Sequence, residues 1–464
     1  MMKAYAQEVL QAALACGGDF AEIFLEDTRA TRMQLFSSEA ESINFSRLHG
    51  AGIRVFVGLN AVYAYTNETD REGLLRCAAQ VASAVRDQKK IVTTLPPFVT
   101  PKLPPPDRIV MMPSSVESKK KLDILRAADS AARKVSDDIK QVSCVFMDTE
   151  QDVIICNSEG LYVEDSRIRT RMACTAIADN GKEKQTAFEG PGASMGFELF
   201  EQRVNPEETG RCVAQSAALM LSAPMCPAGV MPVVIDGGFG GVIFHEACGH
   251  SLEATAVAFN LSVFTGKLGQ KIAADCVTAL DDGTMSNEWG STHIDDEGTP
   301  TTRLTLIENG ILKNYMIDKL NGKRMGMPST GSGRRQDYTF TPTSRMRNTF
   351  IAPGKDDEGE MIKTMGDGLY AKKMGGGSVL PATGEFNFAV AEGYLVKDGK
   401  ITTPVRGASL IGKGSDILLK IDRVGKTMTM AQGMCGSSSG SVPTNVGQPM
   451  IRVKQLTVGG RAKE

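Results

Sequence analysis

Two of the chain's four histidines stand five positions apart, in His245-Glu246-Ala247-Cys248-Gly249-His250. A neutral imidazole is a good zinc ligand, and a carboxylate beside a ligand is well placed to accept a proton from metal-bound water. The metal brings the pKa of that water to about 7, which creates a nucleophile at neutral pH. The segment therefore has the residue types of metal-assisted hydrolysis, with His245 and His250 as candidate ligands and Glu246 beside them. The spacing is unusual, because the familiar zinc-peptidase helix places its histidines at i and i+4. On a regular helix of about 100° per residue, an i,i+5 pair diverges by about 140°. Both rings reach one metal only if the helix ends or distorts between them. Gly249 permits this, since glycine accepts strained backbone angles. The plainer alternative is a pair of helix residues satisfied by ordinary hydrogen bonds.

A catalytic zinc takes three protein ligands and keeps one open position. Read from residue types alone, the third ligand stays open among Cys248, Glu253, Cys435, His293 and several acids. Cys248 lies between the histidines, where crowding opposes it. Cys435 lies in Gln432-Gly433-Met434-Cys435-Gly436-Ser437, where the glycines allow close backbone approach. His49 and His293 have no comparable context, although His293 precedes the acidic run Asp295-Asp296-Glu297.

The elements that must position these residues follow from the pattern. Apolar spacing predicts a helix over 2–16, ended by Gly17-Gly18. Strands are expected at Ala21–Leu25, Arg32–Phe36, Gly52–Val57 and Ala61–Tyr65, then a helix from Asp70 to Arg86. Residues 95–106 carry six prolines and read as a linker or an edge-wrapping extended segment. Ser114-Ser115-Val116-Glu117 reads as a capping box opening a helix to Val135. Strands resume at Gln141–Met147 and Asp152–Cys156, turn at Asn157–Gly160 and continue to Thr186. A further helix is expected from Pro206 to Leu221. Helix, strands, helix thus occurs twice before residue 223. Met231–Ile235 is a strand leading through Asp236-Gly237-Gly238-Phe239-Gly240-Gly241 into a helix near Val242. Asn309-Gly310 and Asp398-Gly399 signal hairpins, and Phe386–Val390 alternates as a strand. The fold class is α+β. An N-terminal domain over 1–223 has subdomains at about 1–94 and 107–223, and a strand-rich domain over 224–464 carries the metal.

Composition narrows the function. The 464 residues hold 52 Lys+Arg against 54 Asp+Glu, a net charge of −2, which argues against a broad nucleic-acid footprint. No run approaches 18 uncharged apolar residues, so no membrane span is expected. The ten cysteines are scattered without a CxxC pair, as in a reducing cytoplasm. The glycine-rich turn lacks the Lys and Ser/Thr of a phosphate loop, so it reads as a tight turn delivering His245. Arg334-Arg335 and Arg345-Met346-Arg347 read first as a solvated basic face, and second as a clamp for a substrate carboxylate. Gly375–Ser378 and Phe386–Val390 read as core strands, or as a sheet edge open to a peptide.

Three stretches resemble the TldD/PmbA family, specifically its TldD branch. They are Phe244–Glu253, Thr402–Gly412, and Gly433-Met434-Cys435-Gly436 running to Val446-Gly447-Gln448-Pro449. Arg345–Thr349 and Gly50–Val57 add weaker matches, so the resemblance covers most of the chain. It implies a zinc ion, one per chain, held by His245, His250 and Cys435, with Glu246 as general base. It implies hydrolysis of short or unfolded peptides in the cytoplasm. It also implies a site enclosed in a dimer, either a homodimer or a heterodimer with a PmbA-like subunit of the branch that lacks the metal motif. Cys248 stays an alternative ligand. The competing class is a regulatory or partner-binding subunit with a structural metal, which has no use for an acid beside its ligand.

Overall fold

The computed structural model describes residues 2–85, 94–105, 107–380 and 383–461. After a single 3₁₀ turn at Met2–Ala4, α1 (Ala6–Ala13) buries Ala6, Val9, Leu10 and Ala13 on one face. Strands β1 (Phe20–Phe36), β2 (Glu39–Val57) and β3 (Asn60–Thr66) follow. Helix α2 (Arg71–Ala84) opens on Asp70, whose carboxylate accepts the Gly73 N–H at 2.7 Å. The expected helix end at Arg86 and the linker residue Pro106 lie outside the described residues. Of the linker, Val99 runs extended and pairs with Leu161. The second unit comprises α3 (Ser118–Arg133), β4 (Ile139–Asn157), β5 (Tyr162–Asp179), β6 (Lys184–Glu189), the short β7 (Gly192–Ala193), α4 (Leu199–Gln202) and α5 (Pro206–Ser222). The strand order β3-β2-β1-β4-β5-β6 joins the two units through antiparallel β1 and β4, and β7 pairs with β5. The repeated order of helix, strands and helix is thus built into a single sheet.

Two local expectations change. The strands expected at Ala21–Leu25 and Arg32–Phe36 are one continuous β1, because the polar run Glu26–Thr31 between them pairs with β2 on one side and β4 on the other. The capping box does not form. Ser114 sits in a 3₁₀ turn, its N–H donates to Glu150 Oε1 at 2.6 Å, and α3 begins only at Ser118, after Glu117. A distant carboxylate has displaced the local cap.

Both faces of β1 are covered. Ala21, Ile23, Met33 and Leu35 lie under the helices. Glu22, Phe24 and Glu26 meet the C-terminal half through Arg335 and Tyr338.

That half contains β8 (Gly229–Ile235), β9 (Ala279–Asp282), β10 (Arg303–Glu308), β11 (Ile311–Leu312), β12 (Gly333–Arg334), β13 (Thr343–Ser344), β14 (Asn348–Ile351) and β15 (Gly368–Leu380). It continues through β16 (Glu385–Lys397), β17 (Lys400–Val405), β18 (Ser409–Lys413), β19 (Ile421–Val424), β20 (Thr429–Ser437), β21 (Gly440–Gln448) and β22 (Ile451–Gly459). The path β15-β8-β22-β18-β16 closes into a ring, since β16 also pairs with β15. A second sheet runs β11-β10-β9-β14-β21-β20, with β20 at its edge. The expected hairpin turns are present, with positive φ at Asn309 and Gly310 and at Asp398 and Gly399. Phe386–Ala389 pairs with β15 on one side and β18 on the other, so it offers no open edge to a peptide.

A buried charge network joins the two halves. Arg54 Nη2 contacts Glu22 at 2.8 Å and Glu297 at 2.6 Å, Arg335 contacts Glu22 at 2.7 Å, and Arg167 bridges Asp165 and Asp296 at 3.0 and 2.5 Å. The expected solvated face at Arg334-Arg335 is therefore replaced by burial, with both residues 4% exposed. Burial pushes the Glu297 carboxyl up and Arg54 pulls it down. Asp318, Asp295 and Glu22 push it up again, leaving it raised to about 8. Removing one partner of such a pair costs more than the pair contributes, because a bare charge stays buried. Arg54→Met should destabilise the protein by about 3–5 kcal/mol. A lowered thermal midpoint checks this, and an unchanged midpoint would show that the carboxylates find other partners.

Candidate metal centre

The site begins where β8 ends. The glycine-rich turn after Ile235 is pressed against the β20–β21 hairpin, and a Cβ on Gly241 would lie 2.5 Å from the Gly447 N. Gly237, Gly240 and Gly241 thus serve close packing against the hairpin. A helical segment then starts at Val242 and changes character at His245. Residues His245–Gly249 form a π turn, in which the His250 N–H donates to the His245 carbonyl. An i→i+5 hydrogen bond widens the turn by one residue, and such turns recur at functional sites. It brings an i,i+5 pair to one side of the helix, where a regular helix would separate them. The distortion between the histidines is thus real, but Gly249 supplies it differently from expectation. Its φ is −55°, an ordinary helical value. Glycine is needed there for space, since a Cβ would lie 2.3 Å from Met346 Sδ.

Cys435 enters from β20, 190 residues beyond His245. Its Sγ lies 3.3 Å from His245 Nε2 and 3.3 Å from His250 Nε2. The three donor atoms all fall within 4.8 Å of one another, and the two rings are nearly perpendicular at 82°. The His250 Nδ1 lies 3.0 Å from Glu253 Oε2, so the ring's other nitrogen faces the thiol. The Glu246 Oε2 is 3.7 Å from His250 Nε2, and its side chain is 29% exposed, the most open of the group. Burial raises the Cys435 thiol, but hydrogen bonds and charge from His245 and His250 outweigh this and lower it to about 4. Burial lowers His250, while Glu253 and the Cys435 sulfur raise it well above its ordinary value. Two imidazole nitrogens and a thiolate on one small volume suit a borderline-soft divalent ion such as zinc. His245, His250 and Cys435 are the residues that could hold it.

The other candidates stand apart. Cys248 points away, toward the Gly414 carbonyl at 3.6 Å, and burial raises its thiol. Glu253 stands behind His250. His293 pairs with Asp165 at 3.0 Å, and His49 with Thr69 at 2.7 Å. Arg345 and Arg347, read from the sequence as a solvated face, are both fully buried. Arg347 Nε donates to Asp281 at 2.8 Å. Arg345 donates to Ser439 Oγ at 2.9 Å, to the Gly440 carbonyl at 2.8 Å and to the Cys435 carbonyl. It holds the hairpin that presents Cys435. Nothing in the sequence pattern separates a buried hairpin clamp from a surface arginine.

Sequence profiles of the PmbA/TldA metallopeptidases match the chain in three parts: domain 1 at 21–85, the central domain at 112–221 and the C-terminal domain at 228–460. The chain belongs to the PmbA/TldD metallopeptidase family. A Metalloprotease TldD homolog of Haemophilus influenzae is 33% identical over 95% of this chain and 93% of its own length. A protein of Saccharolobus solfataricus named Zinc metalloprotease TldD homolog is 34% identical over 50% of this chain and 52% of its own. The crystal structure of TldE from Thermococcus kodakarensis shares the fold, with a TM-score of 0.79 at 18% identity over 98% of this chain and 100% of that one.

For this family member prepared without metal, the Cys435 environment predicts a persistent thiolate. Its ultraviolet absorbance, taken as the difference from Cys435→Ser, should stay constant between about pH 8 and about pH 6, where an ordinary thiol is mostly protonated. A difference signal that fades across that interval would contradict the imidazole contacts.

Proposed function

We propose that the chain is a zinc-dependent peptidase, with the metal on His245, His250 and Cys435 and with Glu246 as general base. The observation that carries this reading is the convergence of two imidazole nitrogens and one thiolate beside a partly exposed carboxylate. The name of the Saccharolobus solfataricus relative supports zinc. A divalent ion held there supplies Lewis acidity, which acidifies water and polarises a scissile carbonyl. The remaining work belongs to the chain. Glu253 holds the His250 ring so that its Nε2 faces the site. Glu246 takes the proton from the attacking water and returns it to the leaving amine. Its side chain is partly exposed, so solvent can reach it.

The substrate class proposed is short or unfolded peptides, and the partner is a second subunit, either another copy or a PmbA-like chain. Both follow from the sequence resemblance. Cytoplasmic location is proposed on the same ground. Among the described residues no helix is long and apolar enough to cross a membrane. A regulatory subunit with a structural metal fits less well, since it leaves Glu246 without a task.

Elemental analysis should find about one zinc per chain, as one such donor set predicts, and should find it lost in His245→Ala and Cys435→Ala. Glu246→Gln should keep its zinc and lose about 10²–10⁴-fold in kcat on an unfolded peptide. A folded wild-type protein that takes up no zinc when supplied would sink the metal assignment. Near-normal cleavage by Glu246→Gln would remove Glu246 from the base role.

A further inference from the structure

The two ligand-bearing segments are separated by 185 residues between His250 and Cys435, yet one buried side chain lies against both. Arg345 is fully buried. Its Nη1 donates to Ser439 Oγ at 2.9 Å and to the Gly440 carbonyl at 2.8 Å, and its Nη2 to the Cys435 carbonyl. Three contacts thus fix the turn of the β20–β21 hairpin and the backbone of the thiol residue. The guanidinium's remaining face, Nε, lies 4.0 Å from Glu253 Oε1. Neither Arg345 Nε nor Glu253 Oε1 has a hydrogen-bond partner among the described residues. Glu253 is 4% exposed, and Arg345 is the one cationic side chain besides His250 within ion-pair distance of it among the described residues.

The second oxygen of Glu253 does a different job. Oε2 accepts from His250 Nδ1 at 3.0 Å. Glu253 is itself held by the backbone, where the Ala254 N–H donates to the Met316 carbonyl at 2.8 Å and the Met316 N–H to the Leu252 carbonyl at 3.0 Å. A chain of contacts therefore runs from the His250 ring through Glu253 and Arg345 to the Cys435 carbonyl. Buried carboxylates behind ligating imidazoles fix the tautomer and ring angle, and their loss costs metal affinity. A planar guanidinium with several fixed donors suits the role of tie better than a lysine ammonium.

We infer that Glu253 and Arg345 act as a positioning pair, coupling the His250 ring to the Cys435 hairpin so that the two halves of the metal site are set as one unit. This rests on the metal site proposed above. Neither residue touches the reacting atoms. Their effect is on where two donors stand relative to the third. Because the pair acts as a unit, removing either member should undo most of what the other provides.

The test measures Co(II) and Zn(II) affinity of the full-length chain by chelator competition, together with the Co(II) absorption spectrum and the thermal midpoint of the metal-free protein. The variants are Glu253→Gln, Arg345→Lys, Arg345→Gln and Glu253→Gln/Arg345→Gln. Each Gln single variant should bind metal about 10- to 100-fold more weakly, with a weakened thiolate-to-cobalt band. Arg345→Lys should recover only part of the affinity, because it keeps the charge and loses the fork. The double variant should lose no more than about threefold beyond the worse single one. Arg345→Lys keeps the test open if Arg345→Gln does not fold, since its cobalt spectrum reports the hairpin on its own. Single variants with wild-type affinity and spectrum would overturn the inference while leaving the metal site intact. Losses that multiply in the double variant would overturn the coupling. A folded wild type that binds neither ion would overturn the metal site and the inference together.

Discussion

One backbone hydrogen bond, from the His250 N–H to the His245 carbonyl, decides whether the two imidazoles can meet the Cys435 thiol. With regular i→i+4 bonding the two rings would point to different sides of the helix. With one residue added to the turn they share a thiol. A π turn is costly, because its hydrogen-bond geometry is less favourable than that of an α-helix, and it persists only where packing enforces it. Here packing does so from three sides. The glycine turn ahead of it is pressed on β21, Met346 fills the space beside Gly249, and the segment after it is bridged to Met316. The unusual spacing of the two histidines is therefore the covalent record of a conformation that the surrounding body holds in place.

The second constraint is where the charges are. The body that holds the turn meets the N-terminal sheet through an apolar cluster that includes Phe24, Val163, Ile294 and Tyr338, and through buried ions, with Arg54, Arg167 and Arg335 meeting Glu22, Asp165, Asp296 and Glu297. Such contacts add little net stability over an apolar interface of the same shape. What they do penalise is any docking that leaves one of these buried charges without its partner. In this protein the stretch that carries Arg335 also reaches the site's hairpin, since Gln336, next to Arg335, donates its N–H to the Ser439 carbonyl and accepts the Ser441 N–H.

Much of this was legible in the sequence, and the failures share a cause. The α+β class, the paired order of helix, strands and helix, the Asn-Gly and Asp-Gly hairpins and the His-Glu-His cluster all rest on local patterns, and local patterns survive into the fold. Reading β1 as two strands failed at Glu26–Thr31, whose polarity marks a loop only if polar residues face water. Here Glu26 is buried and accepts the Tyr338 N–H. The capping box failed because Glu150, far along the chain, takes the Ser114 N–H. The basic cluster failed because Arg335, Arg345 and Arg347 find carboxylates or carbonyls from distant segments, and Arg334 donates to the Met346 carbonyl. Periodicity and charge count see only neighbours in sequence, whereas these residues answer to neighbours in space. Cys435 shows the same limit. Residue types alone left it among several possible third ligands, and only family resemblance singled it out.

The position of Cys435 also sets an order of events during synthesis. The histidines leave the ribosome long before the thiol, and at about 5–20 residues per second the delay is about 10–40 s. Beyond Cys435 the chain must still deliver β21, which pairs with the cysteine strand, and β22, which closes the ring against β8. Throughout that interval the nascent chain carries two donors without the third. The three donors can therefore meet only after the β20–β21 hairpin has emerged and paired, so the fold of the last-made sheet strands and the assembly of the donor set are one event.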